Sequence, residues 1–154
     1  MAMNDTKQKS SEAEALQGKP YDAKALQGKP DAYWKEKLTP EQYHVLRDGG
    51  TEPPGSGKFY KNFAQGVYLC AACEQPLFAS DTKFDSDCGW SSFDRSLTGN
   101  VELREDRSLG MVRTEVLCSN CGSHMGHVFD DGPKDTTGKR FCINSLSLNF
   151  KAGR

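Results

Sequence analysis

The chain has 154 residues, of which 20 are basic and 21 are acidic, so its formal net charge is -1 at pH 7. The interspersed charges exclude the strongly basic face of a nucleic-acid-binding protein, and no run approaches the roughly 18 apolar residues that a membrane span needs. This length fits one domain that buries a core yet gains from a structural metal. We therefore expect a monomeric globular protein without nucleic-acid or membrane partners.

The N-terminal segment 1–30 is polar and contains the hexapeptide ALQGKP at 15–20 and again at 25–30. Such a segment buries too little apolar surface to offset the entropy lost on ordering, and two copies are too few for a solenoid. It has no apolar stretch suited to a secretory signal, and its acidic residues argue against a transit peptide. We predict a disordered tail at 1–30, a folded domain at 31–154 and a cytoplasmic location.

The stretch LTPEQYHVLRDGG, residues 38–50, predicts one short helix. Thr39 is a suitable N-cap, Pro40 fits the first helical position, and Gln42 completes a capping box with Thr39. The two glycines at the end of the stretch provide a stop. His44 is alone in this helix, which indicates an exposed surface residue rather than a ligand.

Beyond a segment rich in Pro and Gly, short runs of alternating apolar and polar residues predict β-strands. These runs are GVYLC, PLFAS, NVELRED, MVRTEVLC and RFCINSLSLNF, with Gly, Asp and Ser turns between them. The predicted fold is mainly β, with antiparallel sheets and a short N-terminal helix. In the last run, a period of two places Arg140, Cys142 and Asn144 on one face and Phe141 and Ile143 on the other.

Four of the six cysteines form two CxxC pairs, and each pair follows a predicted strand. They are Cys70, Cys73, Cys118 and Cys121. The two-residue spacer lets both thiolates of a turn reach one tetrahedral ion, so we expect one structural Zn²⁺ per chain. Four thiolates leave no open position for water, so this zinc would not be catalytic. A redox CxxC, free thiols, or a shell in which His124 or His127 replaces a cysteine are the alternatives.

Cys142 and Cys88 are left over from the metal site. In a reducing cytosol, cysteines indicate metal binding or redox catalysis more often than a disulfide framework. Arg140, on the same predicted strand face, would lower the pKa of Cys142, although a small buried strand residue is the alternative interpretation. Cys88 lies in a Gly/Ser/Asp-rich loop beside Trp90, where chain motion would let it resolve an oxidised strand cysteine.

The motifs DCGWSSF, CGSHMGHVFDDGP and RFCINSLSL, with the two CxxC pairs, closely resemble the methionine sulfoxide reductase B family over roughly residues 34–150. The resemblance implies a β-tent-like fold stapled by zinc, and repair of oxidised proteins by reducing the R epimer of methionine sulfoxide. Free methionine sulfoxide is a further possible substrate. The resemblance also implies that Cys142 attacks the sulfoxide and becomes a sulfenic acid. Cys88 then forms a disulfide with it, and thioredoxin reduces this disulfide.

The same resemblance implies roles for residues around the two thiols. His127, with His124, would protonate the departing oxygen. Trp90 would form the apolar wall for the substrate methyl group. Asn144 would orient groups around the thiolate.

The resemblance also implies that Arg140 favours the thiolate and that Asp131 holds the site's histidine and water network.

The chain departs from the family pattern at two positions near Cys88. Asp87 stands where the family usually has glycine, and Ser91 where it usually has proline. Loss of the fixed proline φ should loosen the loop that carries the resolving cysteine.

Two other functions fit parts of the sequence. A zinc-stapled binding module explains the four metal-type cysteines, but not the joint presence of Cys88, Cys142 and two histidines. A thiol peroxidase, in which peroxide oxidises Cys142 directly, would need no methyl pocket. It would consume peroxide faster than sulfoxide.

Overall fold

The computed structural model describes residues 29–153, so the predicted tail, apart from Lys29 and Pro30, lies outside the described residues. Within this range there are two α-helices, α1 (Asp31–Lys37) and α2 (Pro40–Leu46), and nine β-strands. The strands are β1 (Gly66–Cys70), β2 (Pro76–Ala79), β3 (Lys83–Phe84), β4 (Ser91–Phe93), β5 (Val101–Asp106), β6 (Arg113–Cys118), β7 (His124–Phe129), β8 (Arg140–Ile143) and β9 (Leu148–Ala152). Short 3₁₀ turns at Ser80–Thr82, Ser108–Gly110 and Ser145–Ser147 connect some of them.

The strands form two antiparallel sheets. One has the order β2-β1-β9, and the other has the order β3-β4-β8-β7-β6-β5. The predicted mainly β fold with antiparallel sheets and a short N-terminal helix is confirmed, and α1 is an additional helix. Among residues 29–153, no helix has the length and apolarity needed to cross a bilayer.

The predicted capping box starts α2. The Thr39 hydroxyl accepts a hydrogen bond from the Gln42 backbone N–H at 3.1 Å, and the Gln42 side chain accepts one from the Thr39 N–H at 3.0 Å. Pro40 occupies the first helical position, where its missing N–H costs nothing. His44 is exposed, as the sequence predicts.

Arg47, at the C-cap of α2, connects both helices to the second CxxC turn. Its guanidinium lies over the ring of the fully buried Trp34, 4.5 Å from the centroid. It also donates hydrogen bonds to the Cys121 carbonyl and the Ser123 hydroxyl, both at 3.0 Å. A planar guanidinium can stack and donate at the same time, so one side chain fixes the helices against the sheet.

Aromatic rings fill the space between the two sheets. Phe78 of β2 stacks on Phe93 of β4 with ring centroids 4.3 Å apart, and it meets Phe141 of β8 at 5.7 Å. Tyr68 of β1 meets Phe93 edge-on at 5.2 Å. Because Phe141 and Ile143 point into this core, the alternate residue Cys142 must face away from it.

Candidate active site

A cavity of about 340 Å³ lies on the face of the six-stranded sheet opposite the core. Its lining includes six residues that the sequence assigns to the site: Cys88, Trp90, His127, Arg140, Cys142 and Asn144. The predicted alternation along β8 therefore places Arg140 and Cys142 on one face, and Asn144 continues that face past the end of the strand.

Cys142 and Cys88 meet at this cavity. Their sulfur atoms are 3.8 Å apart, and both cysteines are free thiols. Cys142 is held opposite Ser92 in the β4–β8 ladder, whereas Cys88 comes from the loop before β4. A disulfide needs the sulfurs at about 2.05 Å, so a small movement of the loop is enough to form the bond.

Backbone contacts hold the Cys88 loop on both sides. The Gly89 N–H donates to the Tyr60 hydroxyl at 3.0 Å, and the Gly89 carbonyl accepts from the Gly55 N–H at 2.7 Å. Asp87 has φ +62°, a left-handed conformation that suits glycine best and that aspartate tolerates. Asp87, where the resemblance leads us to expect glycine, therefore keeps the turn.

Ser91, the other departure, lies fully buried at the start of β4. Its hydroxyl has no hydrogen-bond partner among the described residues. The neighbouring Ser92 hydroxyl, by contrast, lies 2.6 Å from that of Ser86 and donates to the Trp90 carbonyl at 3.2 Å. The predicted loosening of the loop by Ser91 stays a prediction.

The two thiols differ in acidity. Burial, together with the neighbouring Cys88 sulfur, raises the pKa of Cys142 to about 12, although Arg140 acts in the opposite direction. Burial also raises the pKa of Cys88, but hydrogen bonds from Ser86 and Ser92 outweigh it, so the pKa of Cys88 lies below its ordinary value. In the reduced pair, the last proton therefore stays on Cys142.

A β-bulge brings His124 and His127 together. Residues three apart on a regular strand point to opposite faces. In the β6–β7 ladder, however, Gly126 pairs with Val116 and His124 pairs with Leu117, so Met125 is the extra residue. The bulge returns both imidazoles to one side of the sheet, with ring centroids 5.5 Å apart. His127 lines the cavity directly opposite Cys142, and His124 is buried nearby.

Each histidine has a carboxylate partner. His127 Nε2 lies 2.7 Å from Asp106 Oδ2, and His124 Nδ1 lies 2.7 Å from Glu115 Oε2. A carboxylate accepts, so each of these ring nitrogens donates. The hydrogen bond from His127 lowers the pKa of Asp106, which keeps that carboxylate charged. Burial lowers the pKa of His124 more than Glu115 raises it.

Asp131 pairs with Arg140 at the edge of the site. Its carboxylate accepts two hydrogen bonds from Arg140, from Nε at 2.8 Å and from Nη2 at 3.1 Å. The role that the resemblance implies for Asp131, holding a site histidine and water, stays a prediction, and the pair with Arg140 is what the structure shows. Arg140 also lies over the Phe129 ring, 4.8 Å from the centroid, so its charge is shared between Asp131 and the cavity.

Glu52 fixes the opposite wall of the cavity. Its carbonyl accepts from the Trp90 indole N–H at 3.0 Å, and its N–H donates to the Asn144 side-chain oxygen at 3.0 Å. Its buried carboxylate accepts from the backbone N–H groups of Ser145 and Leu146, both at 2.9 Å. The Asn144 amide also donates to the Met125 carbonyl at 3.0 Å, so this side chain orders the backbone around Cys142.

Sequence reasoning missed the carboxylates Glu52, Asp106 and Glu115. A signal was present for Glu115, because the period of two places it on the same strand face as the apolar Leu117, where a charge that becomes buried needs a partner. Asp106 ends its strand and resembles any exposed turn residue. Glu52 precedes two prolines in an irregular segment, where no periodicity indicates burial.

The four cysteines of the two CxxC pairs form a second centre, at the ends of β1 and β6 and in the turns that follow them. All four sulfurs lie within 4.8 Å of one another and are buried. The sulfurs of Cys70 and Cys121 are 3.7 Å apart, and those of Cys73 and Cys118 are 3.6 Å apart. Four thiolates at about 2.3 Å from a tetrahedral ion would be separated by about 3.8 Å, so the spacing fits a metal.

The surroundings of this cluster also suit thiolate ligands. The Asn120 amide donates to the Cys73 sulfur at 3.3 Å, and the Gln75 amide donates to the Cys118 sulfur at 3.8 Å. Hydrogen bonds within the cluster lower the pKa of Cys73, whereas burial raises the pKa of Cys70. Without a cation the cluster keeps some of its protons, and a cation would release them.

Comparison with known proteins places the chain in a family. Residues 38–152 match the SelR domain model. The chain is 64% identical over 119 residues to "Peptide methionine sulfoxide reductase MsrB" of Methanosarcina barkeri, covering 77% of this chain and 83% of the relative. It is 55% identical over 122 residues to the protein of that name from Agrobacterium fabrum, covering 79% and 90%. With its thiol pair, two histidines and four-cysteine cluster in one matched domain, the chain belongs to the SelR domain family.

Proposed function

We propose that this protein is a peptide methionine sulfoxide reductase that acts on the R epimer and uses Cys142 as nucleophile and Cys88 as resolving cysteine. The observation that carries this proposal is the pair of free sulfurs 3.8 Å apart at a cavity that also contains Trp90 and His127. The relatives named above are peptide methionine sulfoxide reductases, which supports the same substrate class. We assign the activity to the domain at 31–154.

The first step requires the Cys142 thiolate. In the free enzyme the proton is on Cys142, and Cys88, 3.8 Å away, is the more acidic thiol. When Cys88 is ionised, its thiolate can accept this proton, which leaves a Cys142 thiolate beside the positive charge of Arg140. The thiolate then attacks the sulfoxide sulfur, while the indole of Trp90 packs against the substrate methyl group.

The sulfoxide oxygen needs a proton before its bond to sulfur breaks. His127 is suited to this role as an imidazolium, because Nε2–H donates to Asp106 and Nδ1–H remains to give its proton to the sulfoxide oxygen. The His124 ring lies beside the His127 ring, with centroids 5.5 Å apart, and Glu115 holds His124 in place. One proton and the thiolate convert the sulfoxide to methionine, and the oxygen stays on Cys142 as sulfenic acid.

Cys88 then attacks the Cys142 sulfenic acid, which forms a disulfide and releases water. Thioredoxin, as a dithiol, reduces this disulfide and becomes oxidised itself. Asn144 and Glu52 keep the β8 end in place through these steps. Arg140, held by Asp131, stabilises the thiolate that leaves when the disulfide is reduced.

The second centre fits a structural zinc bound by Cys70, Cys73, Cys118 and Cys121. Its chemistry is limited to cross-linking two turns, because four thiolates complete a tetrahedral shell. We place the enzyme in the cytoplasm, where reduced thioredoxin is available and free thiols persist. We further propose that it is a monomer and that oxidised proteins are its main substrates.

Turnover of separated R and S epimers of a blocked methionine sulfoxide tests the proposal, first with dithiothreitol and then with thioredoxin. We expect the R epimer alone to be reduced, with both reductants. Reduction of the S epimer would contradict the stereochemistry. No turnover by a folded, zinc-loaded protein would leave the binding module as the better function, and faster consumption of peroxide would favour the thiol peroxidase.

Two variants separate the roles of the thiols. Cys142→Ser should abolish sulfoxide reduction. Cys88→Ser should release about one methionine per enzyme in a single turnover and recycle poorly with thioredoxin. Full thioredoxin-dependent turnover by Cys88→Ser would remove Cys88 from the mechanism.

A further inference from the structure

The tip of the β5–β6 hairpin, residues 107–112, carries an exposed apolar surface. Leu109 is 80% exposed, Val112 is 67% exposed and Met111 is 45% exposed. They account for three of the five large hydrophobic side chains that residues 29–153 expose, the others being Phe63 and Leu103. Single exposed apolar residues are ordinary, but a cluster of three within four positions indicates a contact surface.

Leu109 at the tip also has a backbone conformation that is unusual for its side chain. Leu109 has φ +59° and ψ +26°, a left-handed conformation that costs a leucine free energy and that glycine, asparagine or aspartate would adopt more readily. Leu109 thus occupies an unfavourable backbone conformation without gaining burial in return. Observed strain of this kind clusters at sites that bind ligands.

The tip is continuous with the wall of the active-site cavity. Arg113, which lines the cavity, directly follows Val112 and pairs with Asp106 at the base of the hairpin. The Asp106 carboxylate lies 3.5 Å from Arg113 Nη2 and 2.7 Å from His127 Nε2. A polypeptide whose sulfoxide enters the cavity beside His127 would therefore pass its neighbouring residues over the tip.

A different surface serves the resolving cysteine. Cys88 also borders a second cleft of about 540 Å³, which includes Phe84, Ser86 and Pro133. In the strand order β3-β4-β8-β7-β6-β5, Phe84 belongs to one edge of the sheet and the hairpin tip to the other. A reductant can approach Cys88 from its own side, which leaves the tip for the substrate.

We propose that the hairpin tip binds apolar residues that flank methionine sulfoxide in a polypeptide substrate. The enzyme would thus favour sulfoxides in apolar sequence over those in polar sequence. This inference rests on the proposed function, because it extends the same cavity to the chain on either side of the sulfoxide. Apolar contact at a partly exposed surface favours the matching peptide without fixing its orientation.

Two peptides test the inference. Each has a central methionine-R-sulfoxide, flanked on both sides by Leu-Val in one peptide and by Ser-Gly in the other. The measured quantity is the ratio of their kcat/KM values with dithiothreitol, which removes any effect of thioredoxin docking. We expect the wild-type protein to favour the apolar peptide by about fivefold or more, in line with a few apolar contacts.

The variant L109N/M111Q/V112T should bring this ratio close to one, and asparagine suits the left-handed backbone at position 109. The matched control is Leu103→Asn, because Leu103 is 52% exposed on the same hairpin and lies on the face of β5 opposite Asp106. The control should keep the wild-type ratio. Circular dichroism and thermal unfolding test whether both variants fold. If the triple variant does not fold, the single variant Val112→Thr replaces it.

A wild-type ratio near one would overturn the proposal, as would a triple variant that keeps the wild-type ratio. An increased KM for thioredoxin with an unchanged peptide ratio would show instead that the tip binds the reductant. Failure of the proposed function is distinct from these results, because the wild-type protein would then reduce neither the peptides nor blocked methionine sulfoxide. The inference would fall with it.

Discussion

The sulfur atoms of Cys88 and Cys142 lie 3.8 Å apart without a bond between them, and the loop cysteine is the more acidic of the two. Two sulfurs this close do not both ionise readily, because each negative charge raises the pKa of the other thiol. Burial of Cys142 decides which one keeps the proton.

Alkylation of the reduced protein should therefore label Cys88 before Cys142 near neutral pH. A raised pKa means that fewer Cys142 thiolates exist, and the labelling rate below the pKa rises about tenfold per pH unit. Cys88→Ser should accelerate labelling of Cys142, because the neighbouring charge is lost. Mass spectrometry of the labelled peptides measures both rates, with Cys142→Ser as the control for Cys88 alone. Faster labelling of Cys142 in the wild-type protein would contradict the assignment.

Removal of one of the proposed zinc ligands should unfold the domain at moderate temperature. Cys118→Ser should lower the zinc content from about one per chain to near zero, since structural zinc contributes on the order of 10 kcal/mol in small zinc peptides. Metal analysis and thermal unfolding measure the two effects. Cys88→Ser, also a cysteine-to-serine change, should keep its metal. A stable, metal-loaded Cys118→Ser protein would instead indicate a histidine ligand.

Glu52→Gln should lower the free energy of unfolding by about 1–3 kcal/mol, because one carboxylate oxygen that accepts a buried backbone N–H is replaced by a donor. The wall formed by Trp90 and Asn144 should loosen, which would also increase the KM for sulfoxide. Urea unfolding and steady-state kinetics measure these changes. Glu36→Gln, an exposed change in α1, is the control and should leave both quantities as they are. Equal effects of the two substitutions would argue against the Glu52 contacts.

Asp106→Asn should lower kcat about tenfold or more with dithiothreitol as reductant, because His127 loses the carboxylate that orients its ring. The effect should appear in kcat rather than in KM, since Asp106 contacts the proposed proton donor and not the substrate. Glu102→Gln, an exposed change in the same strand, should have little effect. If the kcat of Asp106→Asn stays within twofold of the wild-type value, this carboxylate is not needed for catalysis.

Ser91→Ala and Ser92→Ala should shift stability in opposite directions. The Ser91 hydroxyl is buried without a partner in the described part of the chain, so its removal should raise the free energy of unfolding by about 1 kcal/mol. The Ser92 hydroxyl binds Ser86 and the Trp90 carbonyl, so its removal should lower that free energy by a similar amount. Urea unfolding compares the two variants. Shifts of the same sign would show that the Ser91 hydroxyl has a partner.

The features that the sequence predicts correctly depend on short spacings. The capping box of α2 joins residues three apart, and the two-residue CxxC spacers bring each pair of sulfurs into one turn. The period of two along β8 turns Cys142 away from Phe141. In each case a local backbone rule decides where the side chain lies, so one stretch of sequence is sufficient.

Contacts between residues far apart in the sequence decided which partners the site residues have. The Glu52 carboxylate binds Ser145, which is 93 positions away, and His127 binds Asp106 across a sheet that must first form. A bulge at Met125 reverses the face that a three-residue spacing predicts for the histidines, and Asp131 pairs with Arg140. The sequence by itself determined which residues are candidates for the chemistry and which strand presents Cys142. Only the tertiary structure decided their partners, because strand register and chain closure bring together residues that no local rule connects.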